Sequence, residues 1–421
     1  MIALTLLLTL ALQEPAADQN RPSGIRKYCL YGKRHEPAEK YAIRVAKILS
    51  VTSAPIDHGV ILVSNGRIEK IGRDIAVPEG YALLDFKDAW AMPGLVDLHA
   101  HIAATDWNDT VYPVNPEMRN LDVLRVGHDD LKFAVAGGVT TILQIPGSGS
   151  NMGGFGTLMK THGDSIEDVL VRFPGALKIA QAGNPERGGG DLGAGRSGMN
   201  WLIRNVLEDG RRYHEAWLAY EEGRTKVKPE HSGRLEMFRG LFAREFPVAV
   251  HTQIFQVVQS TMRICHDEMK LWTVTDHSTF DGYKNAPEFA SRGIWTVCGP
   301  RGYWLDTQES KFRGIASSWH ERGVTRLGIN TDSPVVPQED LFYQAAMNIR
   351  LGLPEEIALK AVTINAARAM GIDDRVGSLE VGKDADIVIK TGDPFDVRSW
   401  VQLVIINGKI AYDTRREPRR Y

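Results

Sequence analysis

Cysteine is scarce in this sequence: 421 residues contain three, Cys29, Cys265 and Cys298. An odd number placed so far apart makes neither a disulfide framework nor a cysteine-rich zinc module. Any metal must therefore be held by histidine, carboxylate or a rarer ligand. An excess of one charge is also missing, since 50 Lys and Arg face 52 Asp and Glu for a net charge of -2. No bulk field draws the chain to nucleic acid or an anionic membrane, so a small-molecule partner is the expectation. Long hydrophobic runs are absent apart from Ile2–Leu12, which is too short to cross a bilayer as a helix. That run has the length of a signal-peptide core, and residues 1–17 are read as an export signal, removed to leave no stable membrane span. The destination is then periplasmic or extracellular. No Lys or Arg precedes the run, so a cytoplasmic chain with a frayed apolar start, or an anchor left uncleaved, is the competing reading.

What is present is ordinary globular material, 43% hydrophobic and 24% charged, too apolar for a disordered chain. Residues 18–40 are polar, carry Pro22 and Pro37, and read as a linker. From Tyr41 the pattern becomes short strand-like runs, with Asn65-Gly66 as a hairpin signal between two of them. A similar passage near the other end carries a second such pair, Asn407-Gly408. Residues 41–91 and 380–415 are therefore expected to build one small composite β domain from both chain ends. Between them, over 92–379, short apolar segments alternate with longer amphipathic ones, which indicates βα units and a parallel sheet. Strands are expected near GLVDLHA, VTTILQI, GTLMKT, ALKIAQ, FPVAVHT, LWTVTDH, GIWTVCG and RLGINTD. Eight of them over roughly 240 residues fit an α/β fold of the (β/α)8 TIM-barrel type, although the count alone also admits an open sheet. Residues 183–244 exceed what a crossover needs and open with a Gly-rich stretch. They form a βα-loop excursion, either a lid or specificity wall at the active end or a plain surface elaboration.

Several strand ends carry metal-ligand chemistry. His99 and His101 lie two apart at the end of an apolar strand, where alternation puts both imidazoles on one face. One His-x-His is weak evidence, but other strand-like segments end in His251, His277 and Asp332. In a barrel the C-terminal strand ends converge on one mouth, so these residues become neighbours. Lys178 shares a strand face with Ala180, and an ammonium facing a barrel interior must be paired or lose its proton. A neutral amine there can take up carbon dioxide to become N6-carboxylysine, an anionic metal bridge. The plainer role is a lysine paired with Asp332 or with substrate.

Taken together, PGLVDLHAHI, a strand-four lysine, strand-five and strand-six histidines and the Asp of TDSP resemble the amidohydrolase superfamily, specifically its imidazolonepropionase-like members. The ending AARAMGIDDRVGSLEVGKDADIVIKTGDPFD resembles that family's C-terminal sheet module. The resemblance spans about nine-tenths of the chain and implies a metal-dependent hydrolase with a (β/α)8 barrel and a small composite β-sandwich. It assigns His99, His101 and Asp332 to a more buried metal, His251 and His277 to a second, and carboxylated Lys178 to the bridge. In one-metal members His251 joins His99, His101 and Asp332, while His277 contacts substrate or water. The sequence after Lys178, LKIAQAGNPER, departs from the prolidase-like pattern, which leaves carboxylation open.

The expected chemistry is metal-activated hydroxide, from one or two divalent ions of which zinc suits the ligands best, attacking an amide or cyclic-amide carbon. Asp332 would move the proton from water to the leaving nitrogen, with His277 beside it; a ligand-only role is the alternative for Asp332. Arg301 and Tyr303 are candidate substrate contacts. A one-metal aminohydrolase acting on a nucleobase-like ring is the second reading, and a non-catalytic binding or scaffold protein the third. The substrate and the oligomeric state are not encoded legibly, and a homo-oligomer is left open.

Overall fold

A computed structural model of the chain describes residues 18–22, 27–104, 108–110, 112–181, 183–186 and 195–421. The expected export signal, residues 1–17, lies outside the described residues, as do 23–26 of the expected linker and 187–194 of the Gly-rich excursion. Asn20 is fully buried, its amide donating to the Arg292 carbonyl at 3.0 Å and accepting from the Thr273 amide at 3.3 Å. Glu245 likewise accepts the backbone N–H groups of Lys27 and Tyr28 at 2.6 Å each. These parts of the polar stretch are thus docked against the protein by satisfied hydrogen bonds, which their composition alone did not suggest.

The first four strands are β1 (Tyr41–Ile48), β2 (Ile56–Ser64), β3 (Arg67–Arg73) and β4 (Ala82–Pro93). They are followed by β5 (Leu95–Ala100), β6 (Val139–Gln144), β7 (Met152–Phe155), β8 (Thr157–Lys160), β9 (Leu170–Arg172) and β10 (Leu177–Ala180). After the helix Arg196–Glu221 come β11 (Val248–Thr252), β12 (Thr273–His277), β13 (Trp295–Cys298), the hairpin β14 (Tyr303–Asp306) and β15 (Lys311–Gly314), and β16 (Leu327–Ile329). The chain closes with β17 (Ile387–Lys390), β18 (Val401–Ile406) and β19 (Lys409–Asp413).

Strands from both ends share one seven-stranded sheet, in the order β19-β18-β17-β4-β1-β2-β3. Its two Asn-Gly hairpins have positive φ at both turn residues, 52° and 74° at Asn65-Gly66 and 49° and 76° at Asn407-Gly408. That geometry matches the twist of the flanking strands. The turns also meet, because a Cβ placed on Gly408 would lie 2.6 Å from the Gly66 Cα.

The remaining strands form a six-stranded sheet, β16-β13-β12-β11-β10-β7, and a four-stranded sheet, β5-β6-β8-β9. Strands β10, β11, β12, β13 and β16 run parallel to one another, as βα units require. The expected third parallel strand does not: β8 is antiparallel to β6, and β7, which leads into it, is antiparallel to β10. The reason is the connection. Residues 145–151 after β6 carry no helix, and so short a link lets the chain turn back but not cross over. The two sheets approach again where Ala100 pairs in parallel with Ser333 and the His101 N–H donates to the Ser333 carbonyl at 2.8 Å. Among the described residues, no helix is long and apolar enough to cross a membrane.

Sheet and barrel strands are pinned by a buried ion network. Lys160 on β8, 1% exposed, reaches Asp386 at 2.5 Å and Asp384 at 3.3 Å, and Asp384 also accepts Arg375 at 2.8 Å. The two aspartates come from the GKDADIV run, so that motif closes a contact between sheets here.

Candidate metal centre

Five strands deliver the candidate ligands. His99 lies on β5 and His101 just past it, Lys178 on β10, His251 on β11, His277 ends β12, and Asp332 follows β16. All four imidazoles and Lys178 are buried. The rings of His99 and His277 are 4.5 Å apart, those of His251 and His277 4.4 Å, and those of His99 and His101 5.1 Å. Two groups have ligand atoms close enough to share an ion: His99, His251 and His277, and His99, His101 and Asp332. The structure therefore brings together every residue of the expected ligand set, with His99 common to both groups.

Each ring is anchored through Nδ1. His99 Nδ1 meets Asp276 Oδ2 at 2.8 Å, His101 Nδ1 the Ile145 carbonyl at 2.7 Å, His251 Nδ1 the Ser148 hydroxyl at 2.9 Å, and His277 Nδ1 the Gly299 carbonyl at 3.1 Å. A carbonyl can only accept, so at His101 and His277 Nδ1 carries the proton and Nε2 the lone pair; between His99 and Asp276, whose carboxyl burial pushes up to about 8 against the pull of Lys178, one proton is shared. The Nε2 atoms of three rings face Asp332, at 3.5 Å from His99, 3.3 Å from His101 and 3.9 Å from His277. His277 Nε2 is buried with no hydrogen-bond partner among the described residues, a costly condition unless something else meets it. Neutral rings held this way, beside a carboxylate, fit a divalent ion such as zinc, and the anchors are the outer partners that metal-bound histidines use.

Electrostatics favour the same protonation states. Burial lowers the His99 and His101 pKa values and takes His277 down to about 4, opposed at His277 by Asp332. Burial pushes the Asp332 carboxyl up, yet His277, His101 and Lys178 outweigh it and hold Asp332 below its ordinary value. Lys178 is lowered by burial, against the pull of Asp276 and Asp332, and its Nζ lies 2.8 Å from His99 Nε2. Three residues at the site are also held in the left-handed backbone region: His277, Ser278 and Asp332 have φ of 67°, 46° and 52°, a region such residues seldom occupy without compensation.

Arg301 and Tyr303 are not brought into this cluster. Arg301 is exposed and lies over the Phe280 ring at 5.7 Å, while Tyr303 is 46% exposed on the β14–β15 hairpin with its ring against Phe312. Both follow the C-terminal end of β13. Two carboxylates that the motifs did not single out take a larger part. Asp276 is the register partner of His251, which puts both on one strand face; that pairing is the signal that identifies it. Asp97 anchors the His99 backbone and the segment before Asp332.

Residues 306–411 match the model of the Amidohydrolase family. The crystal structure of an amidohydrolase from Thermotoga maritima is similar at 31% identity and a TM-score of 0.80, over 89% of this chain and all of that one. The chain belongs to the amidohydrolase superfamily. Within it, the chain is 25% identical to the imidazolonepropionase of Brucella anthropi over 83% of its own length and 89% of that protein's. It is also 25% identical to amidohydrolase tasK of Hapsidospora irregularis over 84% of its length, but spans only 40% of tasK. It is an imidazolonepropionase-like member, a hydrolase of carbon–nitrogen bonds with a TIM-barrel-type α/β fold.

Proposed function

We propose that this amidohydrolase uses one or two divalent ions, zinc by ligand chemistry, to hydrolyse an amide, cyclic-amide or small-peptide bond of a small molecule. The observation that carries the reading is the set of four imidazoles tied back through Nδ1 around Asp332 and Lys178. His99, His101 and Asp332 would hold one ion; His251 and His277, with Lys178, would hold a second. A bound ion of this kind supplies Lewis-acid activation and hydroxide at neutral pH. Asp332, kept ionised by its neighbours, takes the proton of the attacking water and returns it to the leaving nitrogen. Lys178, once neutral, adds carbon dioxide by forming an N–C bond and losing one N–H proton, which makes the carbamate an anionic ligand suited to two ions. The proximity of Lys178 Nζ to His99 Nε2 favours this over the one-metal aminohydrolase, which does not need that lysine.

The same reading takes the two barrel sheets as one closed (β/α)8 barrel over 92–379, with its third position filled by an antiparallel strand, and the seven-stranded sheet as part of a composite β-sandwich domain from 41–91 and 380–415. Arg301 and Tyr303 would meet substrate from the rim, residues 183–244 would shape its pocket, and residues 1–17 would direct export. The test of the function is Asp332→Asn. It is expected to keep the fold and lower kcat about 100-fold or more on any amide that the native enzyme cleaves. Turnover within threefold of native would remove Asp332 from proton transfer and with it this mechanism.

A further inference from the structure

The seam between β5 and the segment after β16 is weakly built from backbone. Strands β11 and β12 share a five-residue register, whereas among the described residues β5 meets the far segment through the single Ala100–Ser333 bridge and the His101–Ser333 hydrogen bond. Yet this seam must set the distance between His99 and Asp332, whose ligand atoms stand 3.5 Å apart. A loose seam would spoil a site that tolerates errors of only about half an ångström.

One side chain closes the gap. Asp97 is fully buried, and its Oδ1 accepts the His99 N–H at 3.1 Å. Its Oδ2 accepts the Thr331 N–H at 3.0 Å, the Thr331 hydroxyl at 2.7 Å and the Gln338 amide at 2.6 Å. The Thr331 oxygen in turn accepts the Ser333 N–H at 3.2 Å. The residues on both sides of Asp332 are therefore pinned, which is what lets Asp332 hold its left-handed backbone. A single carboxylate thus grips the backbone of one candidate ligand and the immediate flanks of the other.

We propose that Asp97, seconded by Gln338, is a positioning residue that sets the spacing of the His99–His101 pair against Asp332 and so tunes how tightly the centre holds its ion. The inference rests on the metal-centre reading above. Asp97 touches neither substrate nor ion; it acts through the seam. An amide in its place has one acceptor oxygen and must aim an N–H at one of these donors, so Asp97→Asn breaks the grip without changing the side chain's size. Gln338→Leu removes one of the four hydrogen bonds and leaves Asp97 intact, which makes it the milder variant should Asp97→Asn fail to fold.

The experiment measures zinc affinity of the full-length protein by competition with a chromophoric chelator, well below the melting temperature, together with the visible absorption of the cobalt(II)-substituted protein. Asp97→Asn is expected to bind zinc roughly 10- to 100-fold more weakly, and Gln338→Leu several-fold more weakly, with altered cobalt bands in both. A role confined to folding would lower the melting temperature and leave affinity and spectrum alone. Variant affinities within twofold of native, with native cobalt bands, would overturn the proposal while sparing the metal-centre reading. Failure of the native protein to bind zinc would overturn both.

Discussion

At the scale of the residue, the centre works through which nitrogen each histidine offers. Fixing Nδ1–H on the Ile145 and Gly299 carbonyls selects the tautomer of His101 and His277, so those rings would need no reorganisation to take the proposed ion. Lys178 is the residue on which the number of ions turns. If it bridges two as a carbamate, Lys178→Met should cut the bound metal from about two ions per chain to about one, as read by elemental mass spectrometry. An unchanged count would return Lys178 to the role of an ordinary buried lysine. The candidate ligands other than Lys178 were legible because each lies at or just past the end of a recognisable apolar strand and the barrel pattern says where strand ends go; Lys178, inside β10, was legible from the face it shares with Ala180. Asp97 and Asp276 were not. Each finds its partner across a long stretch of chain, Asp97 at Thr331 and Asp276 at His99, and no local spacing encodes such a pairing. Arg301 and Tyr303 follow the same end of a strand as the candidate ligands, but both are exposed, Tyr303 on the β14–β15 hairpin, and they meet Phe280 and Phe312 instead of the ligand cluster.

At the scale of the element, turn chemistry was legible and strand direction was not. Asn-Gly between apolar runs specifies a tight hairpin because both residues accept positive φ, and both hairpins form. A strand's apolar pattern reads the same in either direction, so GTLMKT could be located from sequence but its antiparallel run could not. The short Gly-rich link before it held that information. Gly408 combines a positive φ of 76° with a Cβ path blocked by Gly66. Gly408→Ala should therefore destabilise by more than about 1 kcal/mol, seen as a lower chemical-denaturation midpoint with an unchanged slope. A midpoint equal to the native one would mean that the two turns do not press on each other.

At the scale of the whole molecule, the terminal sheet and the barrel strands are joined by charges that water does not reach. Removing Asp386 leaves two buried cations, Lys160 and Arg375, sharing the one carboxylate of Asp384, so Asp386→Ala should cost roughly 3 kcal/mol, measured by reversible chemical unfolding. A loss below about 1 kcal/mol would place Lys160 in a solvated setting instead. A second buried lysine gives the molecule a pH signature. Lys390, 4% exposed, donates to the Pro394 carbonyl at 2.8 Å, lies 4.0 Å from the Phe342 ring centre, and is taken by burial from 10.5 to about 8, against the pull of Asp393 and Asp396. Below pH 8 both folded and unfolded chains carry this charge, and the cost of burying it is felt in full. Between about pH 8 and 10.5 the folded chain sheds the proton first, so the unfolded state binds more protons and this group's contribution to stability rises with pH. The stability of the native protein relative to Lys390→Met should accordingly grow from pH 7.5 to 10, and a difference that stays flat would show that Lys390 titrates normally.

The central claim, that five strand ends assemble a catalytic metal centre in this amidohydrolase, is tested most directly by the metal content of the protein produced with zinc and bicarbonate and then dialysed. The account predicts about one to two zinc ions per chain in the native protein and a loss of most of them in His99→Asn, because His99 belongs to both ligand groups. A native protein that retains substantially less than one ion per chain, or a His99→Asn variant that keeps the native amount, would contradict it.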